Sequence, residues 1–126
     1  MSHNWIITNK KMIKTDYKKA NTSDSFYLFT DDNRKIYSST KNNNIKIIID
    51  GSVIPRNAYF SKLRKYKPFD LIDILYHKYG DRFTDYIKGN FNILIFQYDQ
   101  FVIVNDHHSL NKFYFYNKNK NFIISN

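Results

Sequence analysis

The sequence predicts an α+β domain in which mainly antiparallel β-sheets are layered with two helices. Short apolar runs rich in β-branched and aromatic residues lie at both ends of the chain. Between them lie two segments whose apolar residues recur at helical spacing. Strands before and after a helical pair favour a layered α+β fold over alternating parallel units. The length of 126 residues suits a single domain spanning residues 1–126.

Three strands are predicted in the first part of the chain. NWIIT (residues 4–8) and FYLF (residues 26–29) are short apolar runs, and IKIIID (residues 45–50) is a β-branched run typical of a buried strand. The polar, basic stretch between the first two runs is expected to form a loop or an irregular hairpin. Asp50-Gly51 then predicts a turn after the third strand.

Two helices are predicted next. Pro55 suits the first turn of a helix, and apolar residues three or four positions apart predict a short helix over about residues 56–65. Pro68 is expected to end this helix. The stretch DLIDILYHKYG has an apolar helical face and predicts a second helix, which begins at Phe69-Asp70 and stops at Gly80.

The remainder of the chain is predicted to be strand after one or two more helical turns over residues 81–88. Alternating apolar runs separated by polar turns indicate two consecutive β-hairpins. The predicted strands are residues 91–97 and 100–106 in the first hairpin, and residues 112–116 and 121–125 in the second.

The composition excludes several kinds of functional site and of cellular location. The chain has no cysteine, which excludes disulfides, thiolate metal sites and a cysteine nucleophile. The absence of cysteine fits a cytoplasmic location, which is the expectation. No apolar run approaches the ~20 residues of a membrane span. The N-terminal stretch also places its apolar patch before its lysines, the opposite of the order in a signal peptide.

The net charge of +9 predicts either a surface for nucleic acid or acidic partners, or a lysine-rich solvated surface. Arginine is favoured for base and bidentate phosphate recognition, yet only four of the basic residues are Arg. The aromatic stretch FYFY (residues 113–116) could stack bases. The competing interpretation is a strand that alternates between the sheet core and an aromatic solvent face.

The stretch NDHHSLNKFYFY contains two of the four histidines, His107 and His108, beside Asp106. Adjacent strand residues point to opposite faces, so the two histidines are not expected to share one ion. We therefore predict no metal site and no cofactor. The carboxylates of Asp73 and of Asp81 and Asp85 are expected on helical surfaces, where they pair with lysines or cap turns.

Three blocks, in order, carry a resemblance to a known family. IIIDGSVIPR is similar to a hydrophobic strand followed by Asn-Gly-Glu-Ile-Tyr-Asn. DILYHKYGDRFTDYIKGNFNILIFQYDQ is similar to Leu-Tyr-x-x-Tyr-Gly-x-x-Phe and then Leu-x-Gly-x-Phe-Ala-Phe. VIVNDHHSLNKFYFY is similar to Arg-Asp-x-x-Gly-x-x-Pro-Leu-Tyr-Tyr. Residues 45–126 thus resemble the class II glutamine amidotransferase domain of asparagine synthetases, an N-terminal nucleophile hydrolase, whereas residues 1–44 match poorly. The resemblance implies a reduced sandwich of that fold.

The residues that the family uses to hydrolyse glutamine are largely absent. Its nucleophile is an N-terminal cysteine whose α-amino group acts as base. Here Ser2 would become N-terminal if Met1 were removed, and serine can serve as nucleophile in this superfamily. Asp50 stands where the family has the oxyanion-hole asparagine, so a carboxylate replaces a donor and would repel the developing negative charge. Gly51 is kept, which turn geometry alone would explain.

The substrate-binding residues have no clear counterparts either. Asp70 matches an acidic position at a helix start, and we interpret it as an N-terminal helix cap or a partner of the helix dipole. Arg34 is the nearest candidate for the arginine that binds the carboxylate of glutamine, and it is a poor one. The resemblance therefore implies the fold and argues against the activity.

The sequence thus predicts a non-catalytic accessory or interaction domain. Its expected partner is a separate asparagine-synthetase-like, ATP-dependent ligase or a peptide substrate, which an exposed sheet edge could bind by strand addition. Self-association is a further expectation, because a shortened sandwich leaves apolar surface to cover. Two alternatives stay open, a Ser2-dependent amidohydrolase and a basic nucleic-acid-binding domain. No membrane partner is expected.

Overall fold

The structure, a computed structural model, describes residues 5–9, 18–19, 26–32, 36–42, 44–97, 100–106, 114–118 and 121–126. The strands are β1 (Trp5–Thr8), β2 (Lys18–Lys19), β3 (Tyr27–Thr30), β4 (Tyr37–Ser38), β5 (Ile45–Pro55), β6 (Ile87–Gln97), β7 (Gln100–Asn105), β8 (Tyr114–Lys118) and β9 (Asn121–Ser125). The helices are α1 (Phe60–Leu63) and α2 (Pro68–Tyr79), with 3-10 turns at Asn57–Tyr59 and Gly80–Tyr86.

These strands form two sheets whose pairs are all antiparallel. One sheet has five strands in the order β2-β3-β1-β9-β8, and the other has four in the order β4-β5-β6-β7. The first and last strands of the chain are neighbours, with Ile7 opposite Ile124. The predicted α+β class with mainly antiparallel sheets is confirmed.

The four-stranded sheet lies between α2 and the five-stranded sheet, so it buries both of its faces. In β5, Ile47 packs with Leu71 and Ile72 of α2, whereas its neighbour Ile48 packs with Ile7 of β1. Burial on both faces explains why β5 and β6 appear in the sequence as nearly continuous apolar runs. Each isoleucine or leucine that is fully buried in this way contributes about 1.5–3 kcal/mol.

The predicted turn at Asp50-Gly51 is wrong, because β5 continues without interruption to Pro55. Its partner β6 begins at Ile87, four residues before the predicted strand, and pairs with β5 along all of its length. Long-range pairing therefore overrides the local turn signal. Gly51 is needed all the same, because its φ of 108° lies in a region that other residues rarely adopt.

The two predicted helices are present with shifted ends. Pro55 is the last residue of β5 and not part of a helix, and the first helical segment is a 3-10 turn followed by the single turn of α1. Pro68 begins α2 and does not end the preceding helix, because its missing N–H would have no partner in a first turn. The chain leaves α2 at Gly80, as predicted.

The two C-terminal hairpins are confirmed, although β8 continues to Lys118, two residues beyond the predicted end at residue 116. Two strands were not predicted. β4 pairs with β5, and β2 pairs with β3 within the stretch expected to be a loop or an irregular hairpin. Both have only two residues, too few to show any periodicity.

The aromatic strand β8 departs from the predicted alternation. Tyr114, Phe115 and Tyr116 are exposed by 67%, 61% and 57%. Phe115 lies opposite the buried Ile124, so it belongs to the inner face, yet it takes no part in the core between the sheets. β8 is the last strand of its sheet, beside β9 alone. Phe113 lies outside the described residues.

Candidate functional site

The start of β1 lies close to the position where the resemblance places the oxyanion hole. The backbone N–H of Trp5 donates to Oδ1 of Asn126 at 2.9 Å, and Nδ2 of Asn126 donates to Oδ2 of Asp50 at 3.0 Å. A single side chain therefore connects the first strand to the middle of β5. We call Trp5, Asp50, Asn92, Asn105 and Asn126 the Asp50 cluster.

Strand alternation explains why polar groups are buried here. Asp50 follows Ile48 on the face of β5 that packs against the five-stranded sheet, and Asn92 lies directly opposite it on β6. Asp50 is 8% exposed and Asn92 is fully buried. Nδ2 of Asn105, on β7, donates to Oδ1 of Asn92. The cluster thus closes one end of the apolar core between the two sheets.

Two buried donors of the Asp50 cluster make no hydrogen bond within the described part of the chain. They are Nε1 of Trp5 and Nδ2 of Asn92.

The Asp50 cluster differs in one respect from the site that the resemblance implies. Catalysis of amide cleavage needs donors directed at a developing oxyanion, and here a carboxylate occupies the position expected for the donor. Gly51 is exposed and follows Asp50 within β5. Ser2, which was considered as a nucleophile, lies outside the described residues, as do Arg34 and the two histidines His107 and His108.

Sequence reasoning found Asp50 and missed the amides around it. Asn92 precedes the apolar run ILIF, and alternation places it on the same face as Leu94 and Phe96. A polar residue at an inward position of a buried strand is a signal that could have identified it. Asn126 could not be identified in this way, because its contact with Asp50 joins residues 76 positions apart.

A second polar cluster surrounds the carboxylate of Asp73 on α2. Oδ1 accepts a hydrogen bond from Oγ of Ser39 at 2.7 Å, and Oδ2 accepts from the hydroxyl of Tyr37 and the N–H of Thr40, both at 3.3 Å. Asp73 is only 2% exposed. Its predicted place on the helix surface is therefore wrong, because β4 and the residues after it cover this side of α2.

Asp81 and Asp85 lie at the surface and Asp70 lies at a helix start, as predicted for each, unlike the buried Asp73. Asp81 and Asp85 are exposed, although Asp85 contacts Arg82 at 3.2 Å and not a lysine. Asp70 lies in the first turn of α2, where a carboxylate interacts favourably with the helix dipole. The alternative prediction that it caps the helix is wrong, because Lys67 holds the N-cap position and Asp70 accepts from Tyr37 at 3.1 Å.

The structure brings together a serine, a histidine and an aspartate, but not as a catalytic triad. Ser39 donates to Asp73 and is 1% exposed, and Nδ1 of His77 lies 3.0 Å from the same carboxylate. A nucleophilic serine must instead donate to the histidine and face a substrate. The Asp73 cluster therefore attaches β4 to α2. Within the described ranges, no three side chains of His, Asp or Glu converge as a metal site.

Tyr37 makes the Asp73 cluster sensitive to alkaline pH. Burial, the hydrogen bond to Asp70 and the charge of Asp73 raise the pKa of Tyr37 from 10.0 to about 12. The unfolded chain then loses this proton at lower pH than the folded protein, so stability falls as pH rises from 10 towards 12. We expect the free energy of unfolding of Tyr37→Phe to be about 1 kcal/mol lower than that of the unmodified protein at neutral pH. This difference should become smaller as pH rises from 10 towards 12. Urea unfolding at a series of pH values measures it, and a constant difference would contradict the prediction.

Asp106 has a structural role at the end of β7. Its Oδ1 accepts a hydrogen bond from the N–H of Phe91 at 3.1 Å, and its own N–H donates to the carbonyl of Phe91 at 3.0 Å. Asp106 is 3% exposed, so its carboxylate anchors the chain to β6 where the β7 ladder ends.

Two clefts can be described among the residues that the structure covers, and Asn105 of the Asp50 cluster lines the larger of them. The larger, of about 430 Å³, lies beside the first half of β6, and the smaller, of about 220 Å³, lies between Tyr76 and Phe101.

No protein-family model matches the chain, and a search of curated proteins finds no match. Among the helices that the structure describes, none has both the length and the apolar character needed to cross a bilayer.

Proposed function

We propose that this chain is a non-catalytic, amidotransferase-like domain that acts by binding another protein. The partner is a separate asparagine-synthetase-like, ATP-dependent ligase or a peptide substrate of such a ligase. The observation that carries the proposal is the carboxylate of Asp50, which is buried, hydrogen-bonded by Asn126 and located where the resemblance places the oxyanion donor.

The negative charge of Asp50 is the physical reason to expect no catalysis. Removing one oxyanion-hole donor from a hydrolase costs about 10²–10³ in rate, and a carboxylate in its place adds repulsion in a site shielded from water. The chain also has no cysteine to act as the family's nucleophile. Loss of nucleophile and loss of oxyanion stabilisation are independent, and both favour a binding role.

A glutaminase assay tests the absence of catalysis. We expect the purified chain and its Asp50→Asn variant to release no glutamate from glutamine above the buffer background, because neither has an activated nucleophile. Activity that disappears in Ser2→Ala but persists in Ser61→Ala, a matched change at an exposed serine, would instead establish the Ser2-dependent amidohydrolase. Mass spectrometry of the native N-terminus is a second check, because retained Met1 excludes Ser2 as an N-terminal nucleophile.

Association with a ligase chain that lacks its own amidotransferase domain tests the partner. We expect a complex at micromolar concentration, and failure to associate would count against a ligase partner. The exposed aromatic side chains of β8 and the net charge of +9 favour one alternative, a nucleic-acid-binding domain. Salt-dependent binding of short oligonucleotides would support it, and no binding at low salt would exclude it.

A further inference from the structure

Within the described residues, the outer edge of β6 is paired over only part of its length. On one side β6 pairs with β5 along all of its length, but on the other side it pairs with β7 only from Asn92 to Gln97. After β7, Asp106 bonds the main chain of Phe91. Among the residues that the structure describes, no strand lies beside residues 87–90 on this side.

The cleft of about 430 Å³ lies at this uncovered edge. Ile87, Gly89 and Phe91 line it along β6, and Val104 lines it at the end of β7. Its volume falls within the ~300–1,000 Å³ range of ligand-binding clefts. Phe91 directs its N–H and its C=O towards Asp106, so this is the side to which the main-chain groups of alternate residues point. By this alternation, the main chain of Gly89 also faces the cleft.

The cleft carries a surplus of positive charge. Arg56 and Lys88 line it, and neither contacts a carboxylate within the described part of the chain. Nζ of Lys88 donates to the neutral side-chain oxygen of Asn57 at 2.7 Å. The carboxylate that lines the cleft, that of Asp85, contacts Arg82 at 3.2 Å. Arg56 and Lys88 are therefore available to a ligand, beside the exposed Asp85–Arg82 pair and the buried carboxylate of Asp106, which accepts from the N–H of Phe91.

We propose that this cleft binds an extended, acidic segment of a protein partner as an additional strand beside residues 87–90 of β6. The inference rests on the proposed function and identifies the surface through which the domain would bind its partner. An uncovered strand edge supplies main-chain donors and acceptors in the spacing that an extended peptide matches. Acidic side chains of the segment would face Arg56 and Lys88. A nucleic acid could use the two cations but not the strand edge.

Fluorescence anisotropy with three labelled hexapeptides tests the proposal on the intact chain. The probes are Glu-Val-Glu-Val-Glu-Val, its Lys-Val counterpart, and the acidic peptide with alternate amides N-methylated, which keeps the charge but removes one edge of donors. We expect the acidic peptide to bind, and the Lys-Val and N-methylated peptides to bind at least ~10-fold more weakly.

Charge reversal then locates the site. The double variant Arg56→Glu/Lys88→Glu is expected to weaken binding of the acidic peptide by ~10-fold or more. The matched control Lys41→Glu/Lys62→Glu makes the same change of charge at exposed positions outside the cleft and is expected to alter binding by less than ~2-fold. All four side chains belong to exposed residues, so both variants should fold. Amide chemical shifts of the unmodified protein give a second readout, with perturbations expected at residues 87–91.

Three results of the peptide measurements would overturn the inference. They are no binding of the acidic peptide at millimolar concentration, equal binding of its N-methylated form, and equal weakening by the two charge-reversal variants. Tight binding of a single-stranded oligonucleotide that only the Arg56/Lys88 variant abolishes would assign the cleft to nucleic acid and also overturn it. Glutaminase activity would contradict the proposed function without changing the peptide-binding results. Failure of the proposed function can therefore be distinguished from failure of this inference.

Discussion

Replacing Gly89 by alanine is expected to remove a large part of the stability of the fold. Gly89 has a φ of 143°, and a Cβ built on it would lie 2.2 Å from the carbonyl oxygen of Ser52. That oxygen belongs to the backbone of β5, which is paired to β6 on both sides of the contact and cannot easily move. Strained backbone costs about 1–3 kcal/mol, and overpacking against fixed atoms about as much or more. We expect a loss of about 4 kcal/mol, out of a typical total of about 5–15 kcal/mol.

Gly80→Ala is the matched control for this substitution. Gly80 also has a positive φ, of 59°, but a Cβ at this position would have no heavy atom within 4 Å. Its cost should be confined to the backbone term of about 1–2 kcal/mol. Urea unfolding of both variants separates the cost of the strained backbone, which both share, from the cost of the steric clash with Ser52, which only Gly89→Ala has. Equal losses in the two variants would show that the contact with Ser52 has no consequence.

Replacing Asp73 by alanine is the other change expected to be severe. The substitution leaves the buried hydroxyl of Ser39 and the N–H of Thr40 without the oxygens that accept their hydrogen bonds. It also opens a small cavity between β4 and α2. Hydrogen bonds to a charged group are worth about 1.5–3 kcal/mol each, and removal of one partner from a buried charged network typically costs 3–5 kcal/mol. We expect a loss of about 3–5 kcal/mol in urea unfolding at neutral pH.

Two further variants show whether the contacts of Asp73 are responsible. Asp81→Ala removes an exposed carboxylate of the neighbouring turn and should change stability by less than about 0.5 kcal/mol. Asp73→Asn keeps the shape and one acceptor oxygen, so its loss should fall between those of the two alanine variants. If Asp73→Ala were as mild as Asp81→Ala, the hydrogen bonds of Ser39 and Thr40 would contribute little to stability.

The part of the fold that sequence reasoning predicted best is the part with clear local periodicity. The apolar face of α2 repeats at helical spacing and Gly80 ends it, so this helix was predicted to within a residue or two. The second half of β5 was not predicted, because Asp50-Gly51 has the local chemistry of a turn. Only the pairing of β5 with β6 shows that the strand continues.

The candidate site also has features that the sequence predicts and features that only the structure shows. Asp50 could be identified from its place in the resemblance, and its unsuitability as an oxyanion donor follows from the charge of its side chain. Its contact with Asn126 and the burial of Asp73 could not be predicted, because each depends on which distant segments pack together. Asp73 and Asp81 look alike in the sequence, and only the packing of β4 against α2 distinguishes them.

By itself, the sequence determined the α+β class, the second helix, the two C-terminal hairpins and the absence of a cysteine nucleophile. These properties follow from side-chain periodicity, which is a local pattern of a few residues, and from composition, which does not depend on the order of residues. The tertiary structure alone decided that polar groups close one end of the core between the sheets, that Asp73 is buried and that, among the described residues, no strand pairs with residues 87–90 on the outer side of β6. These features arise from pairing between distant strands, because hydrogen-bond partners and the end of a ladder depend on long-range register, which no local pattern records.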